Sequence, residues 1–148
     1  ITIDNAIGHL TKPDFEKALR NISSNLKDGG IYIFDILNLE AMTDKALAND
    51  SHHIHTKIND SQIHAVQYST IDRTNSRLIS HHYDIIQKGA TQPKISKSKC
   101  ALQIYTAKEI QEMLGRNGFE TLAKYGMDGS KFLKGKTMSI LTVGRKVK

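Results

Sequence analysis

Two kinds of hydrophobic pattern alternate along the chain. Between Lys12 and Lys27, Phe15, Ala18, Leu19, Ile22 and Leu26 recur at helical spacing, which places them on one face of a helix. Thr11 stands where a capping side chain is needed, Pro13 is tolerated in a first turn, and Asp14 follows the cap by three residues. The run "KDGG" stops that helix, with Gly29 suited to the left-handed position just beyond it. From Ile31 to Leu37, "IYIFDIL" is bulky and apolar at nearly every position, the pattern of a strand buried on both faces. Glu40 to Ala48 reads as a short helix, broken by "NDSH".

The second pattern begins there. "QIHAVQYSTID" and "RLISHHYDIIQ" are rich in β-branched and aromatic residues and are separated by the polar "RTNS", which predicts a long hairpin. Flanking strands are expected from Ile54 to Ile58 and from Ala101 to Tyr105, with Gly89 to Lys99 as the least ordered part. Helical spacing then returns. Thr106 and Glu109 form a capping box, Tyr105 and Ile110 are placed to staple across it, and Ile110, Met113 and Leu114 give a buried face. Gly118 stops this helix. Strands are expected from Phe119 to Tyr125 and from Thr137 to Gly144, with "GMDGSKFLKG" as the loop between them. The element order predicts an α/β fold containing part of an open sheet. Residues 1–48 and 106–148 are expected to form it, with an antiparallel insertion over 49–105.

Composition narrows the function classes. The 148 residues, 39% hydrophobic and 24% charged, suit one ordinary globular domain. The longest apolar stretch contains Asp35 and is far too short to cross a bilayer, and no signal peptide pattern precedes it, so no membrane partner is expected. The single cysteine, Cys100, excludes an internal disulfide and fits a cytoplasmic setting. The net charge of +6 raises the possibility of an anionic partner. The lysines are scattered, however, and the clusters "PKISKSK" and "GRKVK" carry no interleaved aromatics, so a nucleic-acid surface is not expected.

Three blocks, in this order and spacing, resemble the carboxyl-terminal half of a class I S-adenosylmethionine-dependent methyltransferase. The first is "IDNAIGHLTKPDFEKALRNISSNLKDGGIYIFDILN", similar to that family's fourth-strand end, following helix, glycine turn and fifth strand ending in "F-D". The second is "YTAKEIQEMLGRNGFETLAKYG", similar to the late helix and strand. The third, "MDGSKF" with "SILTVGRK", resembles the final loop and antiparallel strand. The resemblance implies a Rossmann-like sheet, S-adenosylmethionine as cofactor, a small-molecule acceptor, and a role for the insertion as an acceptor lid. It also implies a missing half. The sequence has no G-x-G-x-G, and Gly29 with Gly30 reads as a helix stop, so the chain is read as an inactive fragment of such an enzyme.

By the same resemblance, Ile3 and Asp4 would line the methionine portion of the cofactor, and Asn5 and His9 would face the transfer site, with His9, or a lid histidine such as His53 or His82, the candidate base. Asn38, just past the buried strand, and His53 and His82 in the insertion are candidate acceptor contacts. The plainer reading of Asp4 and Asn5 is that they satisfy backbone groups in a strand-to-helix loop, and that of Asp35 is that it orients a neighbouring loop. His52, His53, His55, His64, His81 and His82 lack the Cys or carboxylate partners that complete a zinc site, so no metal is expected. An open sheet edge near Ile1 predicts self-association. The competing functions are a nucleic-acid methyltransferase or binder and a non-catalytic interaction module.

Overall fold

The computed structural model describes residues 1–147. They form two compact units, one of residues 1–42 with 102–147 and the other of residues 43–101. The division thus falls before the short helix and ahead of Tyr105, whereas the sequence pattern placed it at 48/49 and 105/106.

In the first unit a 3-10 turn, Ala6–His9, leads into α1, Lys12–Asn25. Thr11 caps α1 by accepting a bond from the Asp14 amide at 3.3 Å, and Phe15 and Leu19 are its fully buried residues. Strand β1, Ile31–Leu37, follows. After the other unit come α3, Ala107–Arg116, then β6, Phe119–Tyr125, and β7, Ser139–Lys146. The sheet order is β1-β7-β6, antiparallel at both joints, so β1 and β6 run in the same direction. Thr2 forms a parallel bridge to Phe34 along the other side of β1, and Asn38 forms one to Tyr105.

The core of this unit is a chain of aromatic rings. Phe15 meets Phe34 edge-on at 5.5 Å and Tyr105 at 5.8 Å, and Tyr32 stacks on Phe34 at 5.0 Å. Such pairs add about 0.5–1.5 kcal/mol to their area burial. The expected capping box of α3 is present in both directions, and Tyr105 and Ile110 are both fully buried in the core. Among the described residues no helix is long and apolar enough to cross a membrane.

The second unit contains α2, Asp44–Asn49, and the strands β2, His52–Ile58, β3, Ser61–Asp72, and β4, Arg77–Lys88, with most of β5, Lys94–Gln103. They form one sheet in the order β2-β3-β4-β5, antiparallel across β2-β3 and β3-β4. Two expectations are corrected here. The short helix begins at Asp44, not Glu40, because Thr43 is the residue whose side chain caps it through the Ala46 amide. Most of Gly89 to Lys99, expected as the least ordered part, belongs to strand β5. Its lysines hide the apolar alternation, and a strand on the edge of a sheet is where lysines guard against further pairing.

The register also fixes which side chains share a face. Residues directly opposite one another project to the same side of a sheet. His52, Gln67 and His82 form one such row, and His53, Val66 and Tyr83 form the next. His53 and His82 therefore lie on opposite faces. On the His53 side, His55 stacks on His64 at 4.0 Å, and Tyr68 stacks on His81 at 4.8 Å. Cys100 is a free, exposed thiol.

One stability consequence belongs to α3. Burial alone would raise the Glu109 carboxyl. The bond from Lys12 at 2.7 Å and those from the Thr106 amide and hydroxyl outweigh it, so the net shift is downward. A depressed carboxyl stabilises the fold above its ordinary value, and that contribution disappears as the pH falls through the folded-state value. Wild type should therefore exceed Glu109→Gln by about 0.2–1 kcal/mol near neutral pH. The gap should close as the pH drops below the ordinary value of 4.5, as read from urea unfolding at a series of pH values.

Candidate functional site

In an open α/β sheet, ligands collect beyond the carboxyl ends of parallel strands. That edge is formed here by the ends of β1 and β6 and by the loop Asp4–His9. Thr2 donates its amide to the Ile33 carbonyl at 2.8 Å and accepts from the Asp35 amide at 3.2 Å, so Ile1 to Ile3 runs beside β1 as a short extended segment. The chain then turns sharply. Asp4 and Asn5 both adopt left-handed backbone conformations, with φ of 65° and 52°. Two consecutive residues of this kind are costly for anything but Gly, and Asn and Asp bear the cost best.

Buried Asp35 holds the turn in place. The Asn5 amide reaches both of its carboxylate oxygens at 3.1 Å, and the Ser139 hydroxyl donates to Oδ2 at 3.2 Å. Asn5 returns the contact through its side chain, whose Oδ1 accepts from the Leu37 amide at 3.2 Å. Gly8 sits directly above that side chain. The loop-orienting reading of Asp35, and the backbone-satisfying reading of Asn5, both match these bonds.

Asn38 is also used internally. It is fully buried, and its Nδ2 donates to the Lys134 and Thr137 carbonyls, each at 2.8 Å. Its Oδ1 accepts from the Glu40 amide at 3.1 Å. Both of its donor hydrogens are spent, so in this conformation Asn38 braces the loop between β6 and β7. The expectation that it touches an acceptor meets that obstacle.

Ile3, Asp4 and His9 are exposed, and Asp4 and His9 make no side-chain hydrogen bond or ion pair among the described residues. On the Asp4–His9 loop these three side chains remain available to a ligand. His53 and His82 belong to the other unit, on opposite faces of its sheet. Tyr105, fully buried, has its hydroxyl pushed well above the ordinary tyrosine range by burial, with the charges of Glu109 and Glu16 adding to the effect. It is core rather than acid or base. Among the described residues no group of three or more His, Cys, Asp or Glu is placed to hold a metal ion.

The sequence pattern did not single out Glu40 and Lys124. Both line a cavity of about 520 Å³ at this same edge of the sheet. Glu40 lay inside an expected helix, and Lys124 is one polar residue in an alternating strand, so neither carried a visible signal.

No family model and no curated protein matches the chain. Solved structures do. An S-adenosylmethionine-dependent methyltransferase from Clostridium acetobutylicum ATCC 824 superposes on 100% of this chain with a TM-score of 0.72 at 15% identity. The CcbJ methyltransferase from Streptomyces caelestis matches 98% of the chain with a TM-score of 0.68 at 17% identity. CalS10 from Micromonospora echinaspora, an amino pentose methyltransferase solved with S-adenosylmethionine bound, matches 97% with a TM-score of 0.66 at 16% identity. The chain spans 58%, 58% and 55% of those three proteins. The fold is therefore that of class I S-adenosylmethionine-dependent methyltransferases, an α/β sheet with an antiparallel insertion. This chain is similar to a little over half of such a protein.

The bracing of the Asp4–Asn5 turn is testable. A Cβ added to Gly8 would lie 2.6 Å from Asn5 Nδ2 and 2.9 Å from Oδ1. Gly8→Ala should push that side chain off the Leu37 amide and lower stability by about 1–3 kcal/mol. Hydrogen exchange at the Leu37 amide should accelerate, while amides in α3 keep their protection relative to global stability.

Proposed function

We propose that the chain is the carboxyl-terminal part of an S-adenosylmethionine-dependent methyltransferase that acts on a small-molecule acceptor. The observation that carries this reading is the whole-chain likeness to methyltransferase structures, with a braced turn at the carboxyl edge of the sheet. In this reading Ile3 and Asp4 form one wall of the cofactor site. They fit that role. Ile3 offers 53% of its surface to an apolar contact, and Asp4 offers an unpaired carboxylate to an ammonium group, both on a backbone fixed by Asp35.

When bound, the cofactor supplies an electrophilic methyl group on a good leaving group, so the protein's task is positioning and exclusion of water. In this reading His9, exposed on the Asp4–His9 loop, takes a proton from an acceptor that arrives protonated. Asn5 contributes mainly by holding the turn. The four-stranded unit takes part in acceptor choice, and at most one of His53 and His82 can meet an acceptor held on a single face of its sheet. The sequence has no G-x-G-x-G loop, so this stretch on its own is proposed to be inactive.

Calorimetric titration with S-adenosylmethionine tests the reading on the polypeptide encoded by the complete reading frame containing this chain. Saturable binding is expected, weakened about tenfold in Asp4→Ala by loss of a charge-assisted hydrogen bond. This chain alone should give no heat. Absence of binding by the complete polypeptide would overturn the reading.

The edge of the sheet beside Thr2 gives a second, independent expectation. Ile1 and Ile3 are exposed next to unpaired backbone, an arrangement prone to edge-to-edge association. Light scattering on this chain should report a dimer or larger species, with Ile3→Lys shifting it toward monomer.

A further inference from the structure

The cavity of about 520 Å³ lies wholly within the first unit, beyond the carboxyl ends of β1 and β6. Its size is within the range of ligand pockets, roughly 300–1,000 Å³. Ala107 is buried and Phe132 packs against the hydrophobic core, and together they give it an apolar wall. Its polar walls are held from behind. The fully buried Asn38 fixes the Glu40 amide and the Lys134 carbonyl at once, so two of the residues that line the cavity are positioned by one side chain.

Two groups in this cavity lack a matching partner. Glu40 pairs through Oε1 with Lys134 at 3.2 Å, while its Oε2 is buried with no hydrogen-bond partner among the described residues. A buried carboxylate oxygen of this kind is costly unless something donates to it. Lys124 donates to the Ala107 carbonyl at 3.1 Å and to Gln111 Oε1 at 2.9 Å, and both of those acceptors are neutral. Lys108 is paired with Glu112 at 3.7 Å. Three lysines and two glutamates line the space, so the charge left over is positive and resides on Lys124.

We propose that this cavity binds a small organic monoanion, with a carboxylate on Lys124, a hydroxyl donating to Glu40 Oε2, and an apolar body against Phe132 and Ala107. A hydrocarbon would leave both polar groups unmatched. A cation would meet three lysines, and a polyanion would meet two carboxylates. The inference stands on this cavity alone and does not depend on the methyltransferase reading.

The test is a titration of this chain with 4-hydroxybenzoate, followed by amide chemical shifts, with benzoate as the comparison. Saturable shifts are expected at Ala107, Lys124 and Phe132, and benzoate should bind about tenfold more weakly because it lacks the donor for Glu40. Lys124→Gln should weaken both acids about tenfold or more. Glu40→Gln should remove the preference between them. Failure of 4-hydroxybenzoate to shift these residues, or equal affinity of the two acids for the unsubstituted chain, overturns the proposal. So does unchanged affinity in Lys124→Gln. The comparison of the two acids uses the unsubstituted chain, so it decides the matter even if a variant does not fold.

Discussion

Asp35 is a carboxylate in the middle of an apolar strand, 3% exposed, and the geometry of the carboxyl edge depends on how it is satisfied. It takes the amide of a left-handed residue, Asn5, and the hydroxyl of Ser139 at the start of β7. Neither group has a ladder partner at that point, and a buried carboxylate needs donors. Each deficiency meets the other. The bond joins the amino-terminal loop, β1 and β7 at one point, and Asn5 Oδ1 closes the circuit by accepting from Leu37. An apolar residue in place of Asp35 would suit the strand pattern better and leave the Asn5 amide without its acceptor.

Asn38 repeats the device three residues later. Its side chain substitutes for strand pairing where β1 has ended, joining Glu40 to the loop before β7. An amide suits this position because it offers two donors and an acceptor without a charge to desolvate. Fully buried polar side chains of this sort gain little net stability per bond, but they are costly when unpaired, and so they exclude alternative loop arrangements. The loop from Gly126 to Met138 is folded by its own turn bonds, and Asn38 ties its Lys134 and Thr137 carbonyls to the end of β1.

The parts of the fold most legible in the sequence are those decided locally. Thr11 and the Thr106–Glu109 box announce the starts of α1 and α3 because a cap is a short-range bond between residues three apart. Gly118, at φ of 80°, marks the stop of α3 for the same reason. The end of strand β5 was legible from Ala101 onward, but its first part, from Lys94 to Lys99, was not, since an edge strand needs no apolar face and its lysines resemble a loop. The double role of Asn38 was equally hidden. Its partners are 96 and 99 residues away in the sequence, and nothing in "FDILN" distinguishes a side chain aimed at a ligand from one aimed at a distant carbonyl. The candidate loop was found by resemblance, but the division of labour within it, Asn5 spent and Asp4 free, follows from backbone angles that no periodicity encodes.

These braces also sort the carboxyl edge by what is left unsatisfied. A group already engaged on several sides can hold others in place but has little left for a ligand. Asp35, Asn5 and Asn38 are of this kind. A group held in position by its backbone and unmatched at its tip is the opposite case, and such groups occur in two places. On the Asp4–His9 loop they are an exposed carboxylate and an exposed imidazole, both open to water. In the cavity beside α3 they are a buried carboxylate oxygen and a lysine whose bonds go only to neutral acceptors. Water can satisfy the first pair at little cost. The second pair is less accessible, so the energetic pressure for a ligand is greater there, even though the first pair lies in the loop that the sequence makes conspicuous.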